Sequence, residues 1–414
     1  MSPRHFVRAA AVDLNVAARN AVRHGRRSLS GAAAVTFGTV AMILAAGFIQ
    51  WIFWAMREGT IHSGLGHIQI VREGYLEHGT ADPFNYLLPD DSPAMKLIKR
   101  TRHVLEVAPR LDFTGLVSHG SVTLSFLGRG LDPDREVGAK NAIVMEAGQG
   151  LSNSDPDGVL LGQGLAANLG AKVGDTVVLL VNRRSGTLNG VEAKVRGIFS
   201  TVTKAYDDMA VHVRFALAND MLGANGAGRW AVFLDETSHT RGVARSLAAR
   251  LGSGLRVIPW YESADFYNKT VTLFSRQVLV MKVIIALVVI LSISNTMMTN
   301  VMERTNEIAT AMALGLSRRR VLSRFLVEGV LVGLFGGMIG LGLGYFLAMM
   351  ISKIGIPMPP PPGMARGYIG QILVTGGLAW NAVFVAGTTA LVASLYPAWK
   401  ASRMVIADAL RHGR

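Results

Sequence analysis

The charged stretch NVMERTNEIATAMALGLSRRR, residues 300–320, lies between two long apolar segments of the sequence. Glu303 and Glu307 are four residues apart, so on a helix they share a face and repel each other by about 0.3 kcal/mol. Gly315 suits the left-handed position that ends a helix, and Ser317 suits the cap that begins the next one. The stretch therefore predicts a short helix followed by a sharp reversal. A basic partner surface would neutralise the two glutamates; a merely solvated face is the alternative that these residues leave open.

Sequence motifs that mark phosphate-binding, hydrolytic or metal-binding sites are absent from this chain. No Gly-Lys dipeptide occurs, so the chain lacks a phosphate-binding loop of the GxxxxGK[ST] type, and it has no HExxH, GxSxG or paired-Cys motif. The histidines of the predicted outer region lack metal-ligand spacing, and we interpret them as surface or packed side chains: His62, His67 and His78. Asp207 and Asp208 are interpreted as turn and rim residues. We therefore expect no catalytic residue, no metal site and no cofactor in this chain.

Four apolar blocks must position the charged stretch. They occupy residues 31–56, 278–298, 325–351 and 372–396, and each reaches the roughly 20 residues that a helix needs to cross a membrane. The first block is too long for the apolar core of a signal peptide and follows 30 residues of basic sequence, so we expect an uncleaved anchor. The blocks predict four transmembrane helices.

The orientation of these helices follows from the arginine and lysine residues. Segments 1–30, 299–324 and 397–414 together carry +11 of the chain's net charge of +14. By the positive-inside rule these segments face the cytoplasm, which leaves 57–270 and the loop 352–371 outside. Because the basic residues flank membrane spans, the charge needs no nucleic-acid partner to explain it, and we expect none.

Residues 57–270 predict an extracytoplasmic α+β domain, of two subdomains whose boundary is not legible. Strands are predicted at GHIQIV, VTLSFLG, TVVLLVN, EAKVRGIF, MAVHVRF and WAVFLD, and helices at SPAMKLIKRT, LGQGLAANLG, FALANDMLG and SHTRGVARSLAARLG. The chain contains no Cys, so this domain has no disulfide and packing must stabilise it.

Three further segments adjoin the spans. Residues 1–30 predict an amphipathic helix on the inner leaflet, with a solvated basic arm as the alternative. Few helix breakers precede the second span, so residues 271–298 are expected to form the end of a stalk and transmembrane helix 2. The outer loop 352–371 has five prolines between Pro357 and Pro362 and is expected to be a stiff spacer.

The third span, 325–351, carries two rows of glycines at every fourth position. Such rows let neighbouring helices approach closely on two faces. The rows are Gly329, Gly333 and Gly337, and Gly336, Gly340 and Gly344. Glu328 is an ionisable residue in the same span and therefore a functional candidate. Arg324 precedes it by one turn near the cytoplasmic surface, and an ion pair between them is favoured over a buried relay.

The stretch from NTMMTNVMERTNEIATAMALG to IGLGLG resembles the ABC-transporter permease family that includes LolC, LolE, MacB and FtsX. The family pattern ERxxEIxxxxAxG forms the cytoplasmic loop that docks on the ATPase. Its matching residues here are Glu303, Arg304, Glu307, Ile308, Ala313 and Gly315, with Ala309 where many members carry Gly. LYPAWKASRMVIADALR resembles the C-terminal signature, although Val405 and Ile406 stand near a usual proline. GLAANLGAKVGDTVVLL resembles the outer domain, and SGLGHIQIVREGYLEHG the lipoprotein-releasing LolC/LolE branch.

The resemblance covers nearly the whole chain. It implies an α-helical membrane protein with four transmembrane helices and a large MacB-like periplasmic α+β domain between helices 1 and 2, placed in the inner membrane with both termini cytoplasmic. It further implies a non-catalytic permease subunit that extracts a lipoprotein or lipid-like substrate on the periplasmic side. The implied partners are two copies of an ATPase that binds ATP and Mg, a second permease chain, identical or paralogous, and a periplasmic carrier or adaptor. A MacB-like tripartite efflux permease and an FtsX-like transducer that activates cell-wall hydrolases are the alternatives.

Overall fold

The computed structural model describes residues 25–79, 82–135, 143–201, 203–359 and 367–404. The chain divides into two compact units. The membrane unit comprises Met1–Phe53, Val271–Pro357 and Ile369–Arg414, and the outer unit comprises Trp54–Thr270 and Met358–Tyr368. The predicted N-terminal amphipathic helix up to residue 24, most of the proline run and the end of the C-terminal signature lie outside the described residues.

The described helices and strands are numbered here in chain order. A π-helical turn, Ile61–Leu65, and 3-10 turns at Pro83–Tyr86 and Thr237–His239 accompany them. The helices are α1 (Gly25–Thr60), α2 (Tyr75–His78), α3 (Pro93–Lys99), α4 (Gln163–Leu169), α5 (Lys204–Asp207), α6 (Phe215–Leu222), α7 (Thr240–Leu251), α8 (Trp260–Ser263), α9 (Asp265–Glu303), α10 (Thr305–Ala313), α11 (Arg318–Ile354) and α12 (Gly376–Ser402). The strands are β1 (Ile68–Arg72), β2 (Val104–His119), β3 (Val122–Leu131), β4 (Val144–Gly148), β5 (Gly158–Gly162), β6 (Thr176–Asn182), β7 (Leu188–Ser200), β8 (Ala210–Arg214), β9 (Arg229–Leu234), β10 (Leu255–Pro259), β11 (Ile356–Met358) and β12 (Tyr368–Gly370).

Four of the described helices are long and apolar enough to cross a membrane: α1, α9, α11 and α12. The first three contain the predicted apolar blocks and extend beyond them. Backbone hydrogen bonds continue past the end of an apolar run, so a helix outlasts the stretch that hydropathy marks. Helix α9 is continuous from Asp265, through the stretch that was expected to form a stalk.

The fourth apolar block was predicted at residues 372–396, but the helix that contains it, α12, begins later, at Gly376, and ends later, at Ser402. The side chain of Thr375 accepts a hydrogen bond from the backbone N–H of Leu378, and this cap fixes the start of α12 at Gly376. The backbone before this cap is hydrogen-bonded outside α12: the N–H of Leu373 donates to the carbonyl of Gly47 at 3.1 Å. Helix α12 then continues through Pro397, which is buried, to Ser402.

The outer unit is built on a ten-stranded sheet. The strand order is β10-β1-β9-β2-β3-β8-β5-β7-β4, and β6 pairs with β2 and β7. Every strand and helix segment predicted for this unit is present, at β1, β3, β6, β7, β8 and β9 and at α3, α4, α6 and α7. The longest strand, β2, was missed. It contains Pro109 and Gly115, two residues that weaken the sequence signal of a strand.

Strand β2 runs through both halves of the outer unit, so the sequence shows no boundary between two subdomains. The first half of β2 pairs with β9 and its second half pairs with β6. Two large buried clusters lie along it, one around Val159, Leu161 and Val213 and one around Ile70, Trp230 and Val232. The unit therefore has two apolar cores on one shared sheet.

Candidate functional site

The short helix α10 has one buried and one exposed face. Ile308, Ala309 and Met312 are buried, whereas Glu307 and Leu314 are exposed. The buried face belongs to a cluster formed with the first turns of α11 and the last turns of α12, which contribute Val321, Phe325, Ala398 and Ala401. The buried face of α10 therefore shares one apolar cluster with the ends of two long helices.

A tight turn connects α10 to α11. Gly315 has a φ of +100°, which confirms the predicted left-handed conformation at the end of a helix. The N–H of Leu316 donates to the carbonyl of Ala311 at 3.0 Å, and the N–H of Gly315 donates to that of Met312 at 3.1 Å. This pair of bonds is a Schellman motif. Ser317 occupies the predicted N-cap position, but its side chain makes no capping hydrogen bond.

The charged stretch is not a single helix. Glu303 is the last residue of α9, Arg304 interrupts the helical backbone with φ −94° and ψ 13°, and α10 begins at Thr305. The side-chain hydroxyl of Thr305 donates back to the carbonyl of Met302 at 2.7 Å, which fixes the junction. Glu303 and Glu307 therefore lie on two successive helices, and both are exposed.

Arg304 anchors this junction to the third long helix. Its Nη1 lies 3.5 Å from Oε2 of Glu328 on α11, and the two side chains are 11% and 6% exposed. The Nη2 of Arg304 is buried and has no hydrogen-bond partner among the described residues. From the sequence, Glu328 was expected to pair with Arg324. That ion pair stays a prediction, while the structure adds a contact of Glu328 with Arg304 of the ERxxEI motif.

The first glycine row of α11 faces α12. A Cβ at Gly329 would overlap Ser394, one at Gly333 would overlap Ala390, and one at Gly337 would lie 3.1 Å from the Cβ of Ala386. The facing residues of α12 are small, so the two helices meet through their backbones. The glycines of this row are buried.

The second glycine row faces α1. A Cβ at Gly336 would lie 2.7 Å from the carbonyl oxygen of Ala32, one at Gly340 2.7 Å from the Cβ of Thr39, and one at Gly344 3.0 Å from Cδ1 of Ile43. The hydroxyl of Thr36 donates to the carbonyl of Gly336 at 3.0 Å. Helix α11 is thus packed closely on two sides.

The carboxylates and histidines of the outer unit have structural contacts. Asp207 is buried and accepts hydrogen bonds from the backbone and hydroxyl of Thr201, so it is not the rim residue that was expected. Burial raises the pKa of Asp207, and the hydrogen bonds from Thr201 oppose this shift. His67 is packed in the interior, where desolvation lowers its pKa to about 4. His78 is exposed.

A half-buried charge network in the outer unit had no sequence signal. Asp112 of β2 pairs with Arg129 of β3 at 2.8 Å and with Arg229 of β9 at 2.6 Å. Burial raises the pKa of Asp112, but the two arginines outweigh this effect and lower it to about 2. Arg110 is also buried and donates to the carbonyl of Gly64, in the π-helical turn, at 2.6 Å. These side chains join strands that are distant in sequence.

Two family models match the chain. The model of the MacB-like periplasmic core domain matches residues 32–251, and that of the FtsX-like permease C-terminal region matches residues 279–406. Together they cover most of the outer unit, the glycine rows and α10.

Relatives align over most of the chain. The lipoprotein-releasing system transmembrane protein LolC of Neisseria meningitidis is 24% identical over 398 residues, which is 92% of each chain. LolC of Xylella fastidiosa is 26% identical over 354 residues, 81% of this chain and 84% of that protein. The macrolide export ATP-binding/permease protein MacB of Syntrophobacter fumaroxidans is 29% identical over 222 residues, 51% of this chain but 28% of that protein.

Among solved structures, the periplasmic region of MacB from Actinobacillus actinomycetemcomitans is similar. It has 12% sequence identity and a TM-score of 0.35, over 50% of this chain and 94% of that chain.

Proposed function

Because the chain belongs to the family of ABC-transporter permeases that join a MacB-like periplasmic core domain to an FtsX-like permease region, we propose that it couples ATP hydrolysis by a separate ATPase to extraction of a lipoprotein. The observation that carries this proposal is the two-faced helix α10. Its exposed side offers Glu307, with Glu303 at the junction before it, and its buried side packs on α11 and α12.

The docking surface is formed by the acidic residues of the ERxxEI motif. Carboxylates at an exposed interface attract basic groups and set the orientation of a partner. We propose that Glu303 and Glu307 face basic side chains of the ATPase, while Ile308 holds the helix to the membrane unit. The alternative of a merely solvated face leaves the burial of Ile308 and Met312 unchanged and predicts no partner.

The coupling path continues through Arg304. Its contact with Glu328 joins the α9–α10 junction to α11, and the glycine rows join α11 to α1 and α12. We propose that movement of α10 on nucleotide binding shifts α11 with its two neighbours as a group, since close-packed helices move together more readily than they deform. Ala313 and Gly315 end α10, and the tight turn keeps its displacement from dissipating in a loop.

The proposed substrate is a lipoprotein or lipid-like molecule at the outer leaflet of the inner membrane. Alignment with the LolC proteins over most of both chains favours this substrate class over macrolide export, because the MacB relative aligns over a small part of its own length. In the proposed orientation, which the positive-inside rule supports, the outer unit lies in the periplasm and both termini lie in the cytoplasm. The proposed partners are two ATPase subunits that bind ATP and Mg, a second permease chain and a periplasmic carrier or adaptor.

The test is purification of the chain from its native membrane in mild detergent, with mass spectrometry of every co-purifying chain and of bound lipid or lipopeptide. We expect an ATPase in a ratio of one to each permease chain and an acylated peptide that is released on addition of ATP. A co-purifying cell-wall hydrolase without an acylated ligand would instead identify a signal transducer. An outer-membrane duct protein with a periplasmic adaptor would identify an efflux permease.

A further inference from the structure

The outer unit contains a cluster of two histidines and an aspartate, separate from the coupling elements. His103 Nδ1 lies 2.8 Å from Oδ2 of Asp235, and His239 Nδ1 lies 2.9 Å from Oδ1 of the same carboxylate. One ligand atom from each of the three residues lies within 4.8 Å of the other two. From this geometry we propose that His103, Asp235 and His239 form a binding site for a divalent transition-metal ion of the zinc type.

The backbone holds the three side chains together. His103 has a φ of +70°, in the left-handed region that residues other than glycine adopt only when their surroundings impose it. Its carbonyl accepts a hydrogen bond from the N–H of Asp235 at 3.2 Å, so the turn before β2 is tied to the residue that follows β9. The 3-10 turn Thr237–His239 then brings His239 back over Asp235.

The contacts within the cluster favour a cation. The two imidazole rings are 3.8 Å apart between centroids and tilted by 31°, and a nitrogen of each lies close enough to the carboxylate of Asp235 to share one ion with it. One carboxylate and two imidazole nitrogens would together supply the charge and the lone pairs that bind a divalent ion.

The types of donor atom select the metal. Imidazole nitrogen suits zinc, copper and nickel, whereas calcium and magnesium prefer oxygen ligands. Two histidines and one carboxylate are a common set of three protein ligands for zinc, with remaining positions for water. All three side chains are partly exposed, so an ion can reach them from solvent. No metal site was expected from the sequence, because His103 is far from Asp235 and His239 in the chain.

A bound ion would fix the segment 235–239. This segment also carries Thr237, whose hydroxyl donates to Oε1 of Glu58 at 3.2 Å and lies 3.2 Å from Nε2 of His67. The ion would therefore tie the turn before β2 to a segment that contacts the last turn of α1 within the outer unit. We expect binding to raise the thermal stability of the chain by mass action, because the unfolded chain lacks the arranged ligands.

The test is titration of the intact chain, purified in detergent and freed of metal, with Zn²⁺ in competition with a chromophoric chelator. We expect one saturable site per chain and a higher midpoint of thermal unfolding when Zn²⁺ is present. His103→Gly removes one ligand at a backbone position that glycine adopts without strain, so this variant should fold. It and Asp235→Asn should each bind Zn²⁺ at least ~10-fold more weakly and lose the rise in midpoint.

His119→Asn is the matched control. His119 pairs with a single carboxylate, Asp175, at 3.5 Å, and it has no second histidine in that contact. The control should retain the affinity of the unmodified chain. Absence of saturable binding, or binding that His103→Gly and Asp235→Asn leave unchanged, would overturn the proposal. Equal weakening in His119→Asn would also overturn it, since the ion would then not be held by this cluster.

Discussion

Single residues in this chain act mainly through charge and its compensation. Glu303 and Glu307 are exposed, whereas Arg304 between them is turned inward to Glu328. The ERxxEI motif therefore presents two carboxylates outward and directs one guanidinium inward. Buried charges need partners, but exposed charges contribute little to folding, so Glu303 and Glu307 can be replaced with little effect on stability.

Reversal of both exposed glutamates should separate folding from coupling. An exposed charge pair contributes only about 0.2 to 1 kcal/mol, so the double variant Glu303→Lys, Glu307→Lys is the sharper test. We expect normal membrane insertion, but loss of ATPase co-purification or ATP hydrolysis that no longer releases substrate. A Lys→Glu or Arg→Glu change on the ATPase should restore part of the coupling.

The matched control for this variant is Glu73→Lys, Glu192→Lys. It makes the same change of charge at two exposed glutamates of the outer unit. The control should assemble and release substrate normally. Wild-type assembly and release in the Glu303→Lys, Glu307→Lys chain would refute the docking role and favour the solvated-face interpretation.

His67 should make stability depend on pH. Its pKa is lowered to about 4 in the folded chain, whereas the unfolded value is near 6.5. Between these values the unfolded chain binds more protons, so stability falls as pH decreases from 6.5 to 4, by on the order of 3 kcal/mol. The measurement is the midpoint of thermal unfolding between pH 7.5 and 4.5.

His67→Asn should reduce this dependence on pH. Asparagine keeps a side-chain acceptor for the N–H of Leu234, which Nδ1 of His67 accepts at 3.1 Å, but it does not titrate. Some dependence should remain, because the pKa of the buried His212 is also lowered by desolvation. A slope in the variant equal to that of the unmodified chain would show that His67 is not responsible.

At the scale of elements, α11 is the centre of the membrane unit. Its first glycine row meets α12 and its second row meets α1, and its first turns carry the contacts to α10. In a membrane there is no hydrophobic driving force between helices, so association depends on close packing. A larger side chain in either row would prevent this close packing and so weaken the association of the helices.

Gly340→Leu should disturb assembly, whereas Gly342→Leu should not. A Cβ at Gly340 would lie 2.7 Å from Thr39 of α1, but one at Gly342 would have no neighbour within 4 Å among the described residues. Overpacking of this kind costs about 1 to 3 kcal/mol. The measurement is the unfolding midpoint in detergent and the yield of assembled complex. Equal behaviour of the two variants would show that the row is incidental.

At the scale of the whole molecule, the chain combines a permease region with a periplasmic-type core and carries no recognised nucleotide-binding motif. Its two units use different sources of stability: one is a bundle of apolar helices, and the other is a sheet with two apolar cores and a half-buried charge network.

The purified chain alone should neither bind nor hydrolyse ATP. It lacks a phosphate-binding loop, and the role we propose for α10 is docking of the ATPase rather than binding of nucleotide. The measurements are equilibrium binding of a fluorescent ATP analogue and release of phosphate, each with and without the ATPase subunit. Binding at micromolar affinity by the isolated chain would contradict the proposed division of labour.

Elements with local signals could be predicted from the sequence alone. Apolar runs of sufficient length gave the four long helices, alternation gave most strands of the outer unit, and Gly315 gave the turn after α10. Hydrophobic burial and backbone hydrogen bonding act over a few neighbouring residues, so their periodicity is visible in a short window. The ends of helices were harder to predict from the sequence. In α12, the capping hydrogen bond at Thr375 starts the helix within an apolar run that continues across it.

Contacts between residues that are distant in the sequence became visible only in the tertiary structure. It placed Arg304 beside Glu328, assigned each glycine row to its own neighbouring helix, and brought His103 to Asp235 and His239. It also showed that β2, interrupted by proline and glycine, runs through both cores. Such contacts depend on how whole elements pack, and residues that are far apart in a chain share no periodicity that would reveal them.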